Sequence, residues 1–212
     1  FDSGLGLHSF SDFQDIRYSL PTEEYPNVWI NSPSASPYPP TALIPSYLAK
    51  IIQLELGVQK SLYIYLFALI CCLSVPALYA ARTIKTTTEK VLAFLLLSIF
   101  TQPVIMAFDR GNSVAFAVPF IFFFALNFFR QRIYLATIFL VSATAIRPQF
   151  ILLGLAFLIT RRTKAIIATT ISSLSIFFVS FLFMPGPYST NIQSWYSNLR
   201  NYTTESRIES IF

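Results

Sequence analysis

Long apolar blocks separated by short polar connections are the dominant pattern of this chain. Residues 62–81, 91–107, 113–129 and 165–184 are apolar runs of 17 to 20 residues. At about 1.5 Å per residue, helices of that length cross a bilayer or nearly do so. We therefore predict an all-α, polytopic transmembrane helical bundle. Because the chain opens on Phe1 and its first sixty residues hold no long apolar run, we expect a fragment of a longer chain.

One apolar stretch, from Ile133 to Thr160, is interrupted by Arg147-Pro148. Proline removes a backbone donor and kinks or ends a helix. The stretch is therefore either one long kinked helix or two short helices that turn back at the proline. The run at 62–81 contains Pro76, where we expect a kink.

The distribution of charge favours the second arrangement. Charged residues are 12% of the chain, and the net charge is +5. Eight of the fifteen basic residues fall in three short connections, "ARTIKTTTEK", "RQR" and "RRTK". The positive-inside rule places all three in the cytoplasm, so an even number of crossings separates "RQR" from "RRTK". The loops account for the positive charge, and nucleic-acid binding is not indicated.

This topology divides the chain into three parts. Residues 1–61 form an outer-face loop that ends in an amphipathic stretch, Leu43 to Val58, suited to the membrane interface. Residues 62–184 form the transmembrane region, with about six crossings, two of them short. Residues 185–212 form an outer-face tail.

A polar turn lies between two apolar runs, where Asp109, Arg110, Gly111 and Asn112 stand in a row. The simplest interpretation is an ordinary turn with an arginine that reaches the headgroups. Arg147 favours a site instead. An arginine among apolar segments costs about 2.5–3.5 kcal/mol at a helix centre, so it usually faces protein, water or an anion. Two arginines at one face predict a site for an anionic group such as phosphate.

The N-terminal segment carries two carboxylates three residues apart, Asp12 and Asp15, which share one side of the segment if it is helical. A Pro/Ser-rich stretch follows and ends in Tyr38-Pro39-Pro40. This segment is either a solvated linker with ordinary surface charges or a functional loop. Long loops rich in aromatic residues are usually functional.

These stretches together resemble the GT-C superfamily of polyprenyl-phosphate-sugar-dependent glycosyltransferases, nearest to the bacterial α-mannosyltransferase and arabinofuranosyltransferase-like branch. The resemblance covers about Asp12 to Arg162 and rests on short motifs: "SDFQDIRYS", "PYPP", "RGN", "IRPQ" and "RRTK". The chain departs from the family pattern at three positions. Arg110 stands where Gln is usual, Asp109 where Gly is usual, and Arg147 replaces a Lys.

The resemblance implies inverting transfer of a sugar from a polyprenyl-phosphate donor to an acceptor hydroxyl of a glycan or glycolipid. Asp12, or else Asp15, would be the general base. Arg110 and Arg147 would hold the donor phosphate beside Asp109, and Tyr38 and Asn112 would orient hydroxyls. The enzyme would be a multi-pass protein of the bacterial cytoplasmic membrane, active at the outer face. No cofactor or metal is expected.

Two other classes stay open. A transporter or flippase would bind an anionic or lipid-linked substrate between the arginines, and helices broken near Pro148 would support gating. That class predicts an internal repeat, which the sequence does not show. A membrane scaffold would have no need of an arginine at position 147.

Overall fold

The computed structural model describes residues 29, 38–98, 105, 107–108 and 111–209, with side chains up to Asn201. The regular elements of these residues are all helical, so the all-α prediction is confirmed. The α-helices are α1 (Ile44–Leu56), α2 (Val58–Ala81), α3 (Thr87–Ser98), α4 (Val118–Phe129), α5 (Ile133–Ile146), α6 (Leu155–Ile159), α7 (Thr163–Ser180) and α8 (Tyr188–Glu209). Short 3-10 helices occupy Pro40–Leu43, Ser113–Ala117, Pro148–Gly154 and Phe181–Phe183.

A glycine, and not the internal proline, sets a boundary of the first long apolar helix. Gly57, at φ +84°, separates α1 from α2, a backbone angle that residues with a Cβ rarely adopt. The predicted amphipathic stretch, Leu43 to Val58, therefore corresponds to α1, which ends before Gly57. Helix α2 continues through Pro76, so this proline does not end the helix.

The apolar stretch around Arg147 is two segments that turn back on each other. The residue before a proline is disfavoured in the helical region, and Arg147 is extended, with φ −140° and ψ 106°. The following segment then runs back along α5, because a Cβ on Gly154 would lie 3.6 Å from the Leu140 side chain. Of the two arrangements open from the sequence, the structure has the broken one.

The three basic connections lie together at one end of the bundle. The Arg130 guanidinium donates to the Tyr79 hydroxyl near the end of α2 and lies over its ring, 5.9 Å from the centroid. Arg162 Nη2 donates to Gln131 Oε1 at 2.9 Å, joining the α4–α5 turn to the α6–α7 turn. We call this the basic end; Arg147 and the start of α2 lie at the opposite end.

Phenylalanine packing fills the interior between the two ends. The fully buried Phe157 contacts the rings of Phe124 and Phe128, at centroid distances of 5.7 and 5.6 Å. Leu140 and Ala136 of α5 belong to the same buried cluster. Such stacks of large rings suit helices that have lipid rather than water around them, since packing and not water exclusion must hold them together.

Two helical runs among the described residues are long and apolar enough to cross a membrane. They are Val58–Ala81 and Thr163–Phe183. Ser113–Phe129, Ile133–Ile146 and Pro148–Ile159 are apolar and shorter. Short segments of this kind carry polar backbone ends into the bundle, where side chains must satisfy them. The break at Arg147 is such a place.

Candidate functional site

The turn at Gly111 and Asn112 is the first component of the site. Gly111 N–H donates to the Phe108 carbonyl at 3.0 Å, and Asn112 N–H to the Ala107 carbonyl at 2.9 Å. This pair of bonds is the Schellman ending of a helix, which requires a left-handed residue. Gly111 supplies it at φ +64° without a steric cost. The sequence thus ends one helix and starts the next within two residues.

Asn112 begins the next helical segment as its N-cap. Its Oδ1 accepts from the Val114 N–H at 2.9 Å, which satisfies one of the free donors of the Ser113–Ala117 helix. The cap fixes the direction of the Asn112 side chain. The same oxygen keeps a second lone pair, and that lone pair faces Arg147.

Arg147 is the second component and the central side chain of the site. It lies where α5 ends and is only 7% exposed. Its Nη2 donates to Asn112 Oδ1 at 3.1 Å and to Ser113 Oγ at 3.2 Å. A helix-terminal arginine is therefore held against the start of a neighbouring helix by two neutral oxygens.

Tyr38 is the third component and covers the guanidinium. The Arg147 Cζ lies 4.1 Å from the centre of the Tyr38 ring, a cation–π arrangement worth about 0.5–2 kcal/mol. The Tyr38 carbonyl accepts from Trp29 Nε1 at 3.1 Å, and the Trp29 side chain is buried. Pro39 and Pro40 follow, and Pro40 starts a short helix. These contacts hold the Tyr38 ring in place.

A second tyrosine, Tyr65, holds the turn through a hydrogen bond to its backbone. The Tyr65 hydroxyl donates to the Gly111 carbonyl at 3.0 Å, and the Tyr65 ring packs edge-on against Phe116 at 5.3 Å. Tyr65 is buried near the start of α2. The 24-residue, membrane-capable helix α2 is thus bonded directly to the polar turn.

The charge of Arg147 is incompletely compensated by the described residues. None of the described contacts of its guanidinium is a carboxylate, and its buried Nε has no hydrogen-bond partner there. A buried donor left without an acceptor costs about 1–3 kcal/mol, more for a charged group. The arrangement is suited to receive an anionic oxygen.

The packing around the Tyr38 segment is a cluster of aromatic and apolar side chains. Trp29, Leu43 and Phe181 form its buried part, and Trp29 lies 5.3 Å from Phe181 between ring centres. Beside it, the Tyr47 hydroxyl donates to the Met184 sulfur at 3.4 Å. Burial raises the pKa of Tyr47 to about 12.

The structure brings together the predicted site residues that it describes. Tyr38, Asn112 and Arg147 form one contiguous group, although they come from three distant parts of the chain. The other predicted site residues lie outside the described residues: Asp12, Asp15, Asp109 and Arg110. Their roles stay predictions.

Sequence reasoning missed three members of the group. Ser113 follows a recognisable cap residue, so its place beside Asn112 was open to inference. Tyr65 is one tyrosine among several on α2, and Trp29 is an isolated aromatic residue. Their bonds to Gly111 and Tyr38 depend on helix packing that no local pattern encodes.

Comparison with known proteins gives a family match over most of the chain. The family model described as Glycosyltransferase family 87 matches residues 37–210. The matched range contains Tyr38, Asn112 and Arg147, and it begins after Asp12 and Asp15. No curated protein and no solved structure matches the chain.

Proposed function

The chain belongs to glycosyltransferase family 87, and from this premise we propose that it transfers a sugar from a polyprenyl-phosphate donor to an acceptor hydroxyl, with inversion. The coarse activity follows from the family, and the membrane-capable helices accord with a membrane enzyme. The polyprenyl-phosphate donor, the inversion and the relationship to the GT-C superfamily rest on the resemblance of the sequence motifs. The family match favours a transferase over a transporter.

Arg147 holds the phosphate of the donor in this proposal. The observation that carries it is a guanidinium 7% exposed, with two neutral acceptors and an unpartnered Nε within the described part of the chain. Asn112 and Ser113 fix the plane of the guanidinium, and Tyr38 covers one of its faces. Arginine donors in fixed positions stabilise charge as it develops on a leaving phosphate oxygen. We assign Arg110, which precedes Gly111 in the sequence, as a second cation for the same phosphate.

The sugar transfer itself requires a base. The acceptor oxygen bonds to the anomeric carbon as the bond from that carbon to the phosphate oxygen breaks, and the electron pair leaves with polyprenyl phosphate. A carboxylate takes the acceptor's proton. We assign this role of general base to Asp12, with Asp15 as the alternative. We assign Asp109, close to Asn112 in the sequence, to donor binding as well. One displacement of this kind inverts the anomeric centre.

An apolar cavity beside the polar turn suits part of the lipid chain. It has a volume of about 480 Å³. Its lining includes Leu73, Pro76, Ala77 and Ala80 of α2, together with Val114, Ala115 and Val118. Val114 follows the Asn112 cap by two residues, so the cavity starts near the arginine. A lipid-linked donor needs an anion site and an apolar groove next to each other, and this region offers both.

The orientation in the membrane follows from the basic end. The loops with Arg82, Arg130 and Arg162 lie opposite Arg147, and basic loops favour the cytoplasmic side. We therefore assign the Arg147 site to the outer face of a bacterial cytoplasmic membrane. The acceptor there is a glycan or glycolipid of the cell envelope.

Transfer of radiolabelled sugar tests the proposal. Membranes that contain the full-length protein are supplied with polyprenyl-phosphate mannose or arabinose, and wild type is compared with Asp12→Asn and Asp15→Asn. We expect one substitution to abolish transfer while expression and donor binding persist. Transfer that survives both substitutions would overturn the assignment of the base.

A further inference from the structure

A groove at the basic end is separate from the site around Arg147. It lies between the start of α5 and the start of α7 and has a volume of about 870 Å³. Four basic side chains lie at its mouth: Arg132, Arg161, Arg162 and Lys164. The described lining includes no acidic residue. All four are exposed.

The two turns that border the groove have the same backbone. In each, the second residue after the helix is left-handed, Gln131 at φ +60° after α4 and Arg161 at φ +58° after α6. In each, the next amide bonds back across five residues, Arg132 N–H to the Asn127 carbonyl at 2.9 Å and Arg162 N–H to the Phe157 carbonyl at 2.8 Å. Residues other than glycine cost about 1 kcal/mol in this conformation. Each turn is followed directly by an arginine, Arg132 or Arg162, at the start of the next helix.

Both helices that open into the groove begin without a side-chain cap. Arg132 and Arg162 are the N-cap residues of α5 and α7, and neither accepts a hydrogen bond with its side chain. Neither helix has an acidic residue in its first turn. The free N–H groups and the dipoles of two helices therefore add to the four cations. An anion at this point would satisfy donors that the described residues leave without a side-chain acceptor.

The inner wall of the groove is apolar. Ile133, Leu135 and Ile138 line it from α5, and Ala165 and Ala168 line it from α7. Ile138 is 58% exposed, one turn or more inside the helix. The small alanines leave room for a chain to lie against α7. A basic mouth above an apolar wall matches a molecule with an anionic head and a hydrocarbon tail.

We propose that this groove binds an anionic phospholipid, with its phosphate between the Arg132 and Arg162 turns and an acyl chain along Ile138. Loop charge for topology alone would need no shared groove, and it would not need the bond that joins the turns, Arg162 to Gln131 at 2.9 Å. Basic pockets between membrane helices are known to suit such headgroups. The bound lipid links the α4–α5 hairpin to α7.

Native mass spectrometry of the full-length protein in detergent tests the proposal. The protein is titrated with phosphatidylglycerol and, separately, with phosphatidylcholine. We expect one phosphatidylglycerol to bind with saturation, at least tenfold more tightly than phosphatidylcholine. Glycerol 3-phosphate at millimolar concentration should not displace the lipid, because it has no acyl chain. Equal affinity for the two lipids, or displacement by glycerol 3-phosphate, would overturn the lipid assignment.

Variants identify the groove as the location. Arg161→Gly combined with Lys164→Gln removes two cations, and glycine suits the left-handed backbone at position 161, so the turn is retained. At about 1 kcal/mol per cation, phosphatidylglycerol binding should weaken by roughly thirtyfold. The matched control, Arg82→Gln with Lys85→Gln, removes the same charge from the basic end outside the groove lining and should change binding by less than about threefold. An equal loss in both variants would refute a specific groove.

Discussion

The sharpest perturbation of the site is Asn112→Asp, which changes one charge and almost no geometry. An aspartate keeps the oxygen that accepts from the Val114 N–H at 2.9 Å, and aspartate is as good an N-cap as asparagine. The same oxygen keeps its place 3.1 Å from Arg147 Nη2. The substitution therefore converts a neutral contact into an ion pair within the existing structure.

The size of the effect follows from Coulomb's law. A donor phosphate bound to Arg147 would lie about 6 Å from the new carboxylate, and at an effective dielectric constant of about 20 the repulsion is roughly 3 kcal/mol. Donor binding should then weaken by about a hundredfold. The unfolding temperature should stay close to that of wild type, because a partly buried ion pair roughly offsets its own desolvation.

The assay is the dissociation constant of the polyprenyl-phosphate sugar for purified Asn112→Asp and wild type, with thermal unfolding in parallel. Gln193→Glu is the matched control, since Gln193 is exposed on α8 and gains the same charge. Its donor affinity should change by about twofold or less. A folded Asn112→Asp enzyme with wild-type donor affinity would show that Arg147 does not bind the donor phosphate, because a purely structural arginine tolerates an ion pair.

Three further substitutions test the supports of the site. Tyr38→Leu removes the ring that covers Arg147 and should weaken donor binding by about two- to thirtyfold, whereas Tyr38→Phe keeps the ring and should leave donor binding close to that of wild type; a donor titration of both variants checks this. Tyr65→Phe removes the hydroxyl bond to the Gly111 carbonyl and should lower the unfolding temperature by about 2–4 °C, measured by thermal unfolding, and an unchanged temperature would contradict the assigned bond. Phe157→Ala empties a fully buried position and should destabilise the protein by about 3–5 kcal/mol, measured by denaturation in detergent, while the donor affinity of the folded fraction stays the same.

The break at Arg147-Pro148 is a case where local chemistry sufficed for the prediction. Proline restricts the residue before it, and the sign of the flanking loops requires the chain to return. The structure has this return, with Gly154 packed on Leu140. The helix ends were harder to predict from the sequence. Gly57 and the cap residues place them up to several residues away from the ends of the apolar runs.

The contacts within the site could not be predicted from local sequence patterns. Asn112 and Arg147 were predictable as unusual residues in apolar surroundings, but their bond joins positions 35 residues apart. The stacking of Tyr38 on Arg147 joins positions even farther apart along the chain. Those contacts depend on how the Pro40–Leu43 segment packs against α5 and α7. The left-handed conformations of Gln131 and Arg161 were also not predictable, because neither residue type favours that conformation.

The affinity of wild type and Arg147→Gln for polyprenyl phosphate and for the uncharged polyprenol shows whether Arg147 binds the phosphate of a lipid-linked donor. We expect wild type to prefer polyprenyl phosphate and Arg147→Gln to lose about a hundredfold in affinity for the phosphate alone, with polyprenol binding unchanged. A folded Arg147→Gln protein that keeps the wild-type preference for the phosphate would show that Arg147 does not bind it.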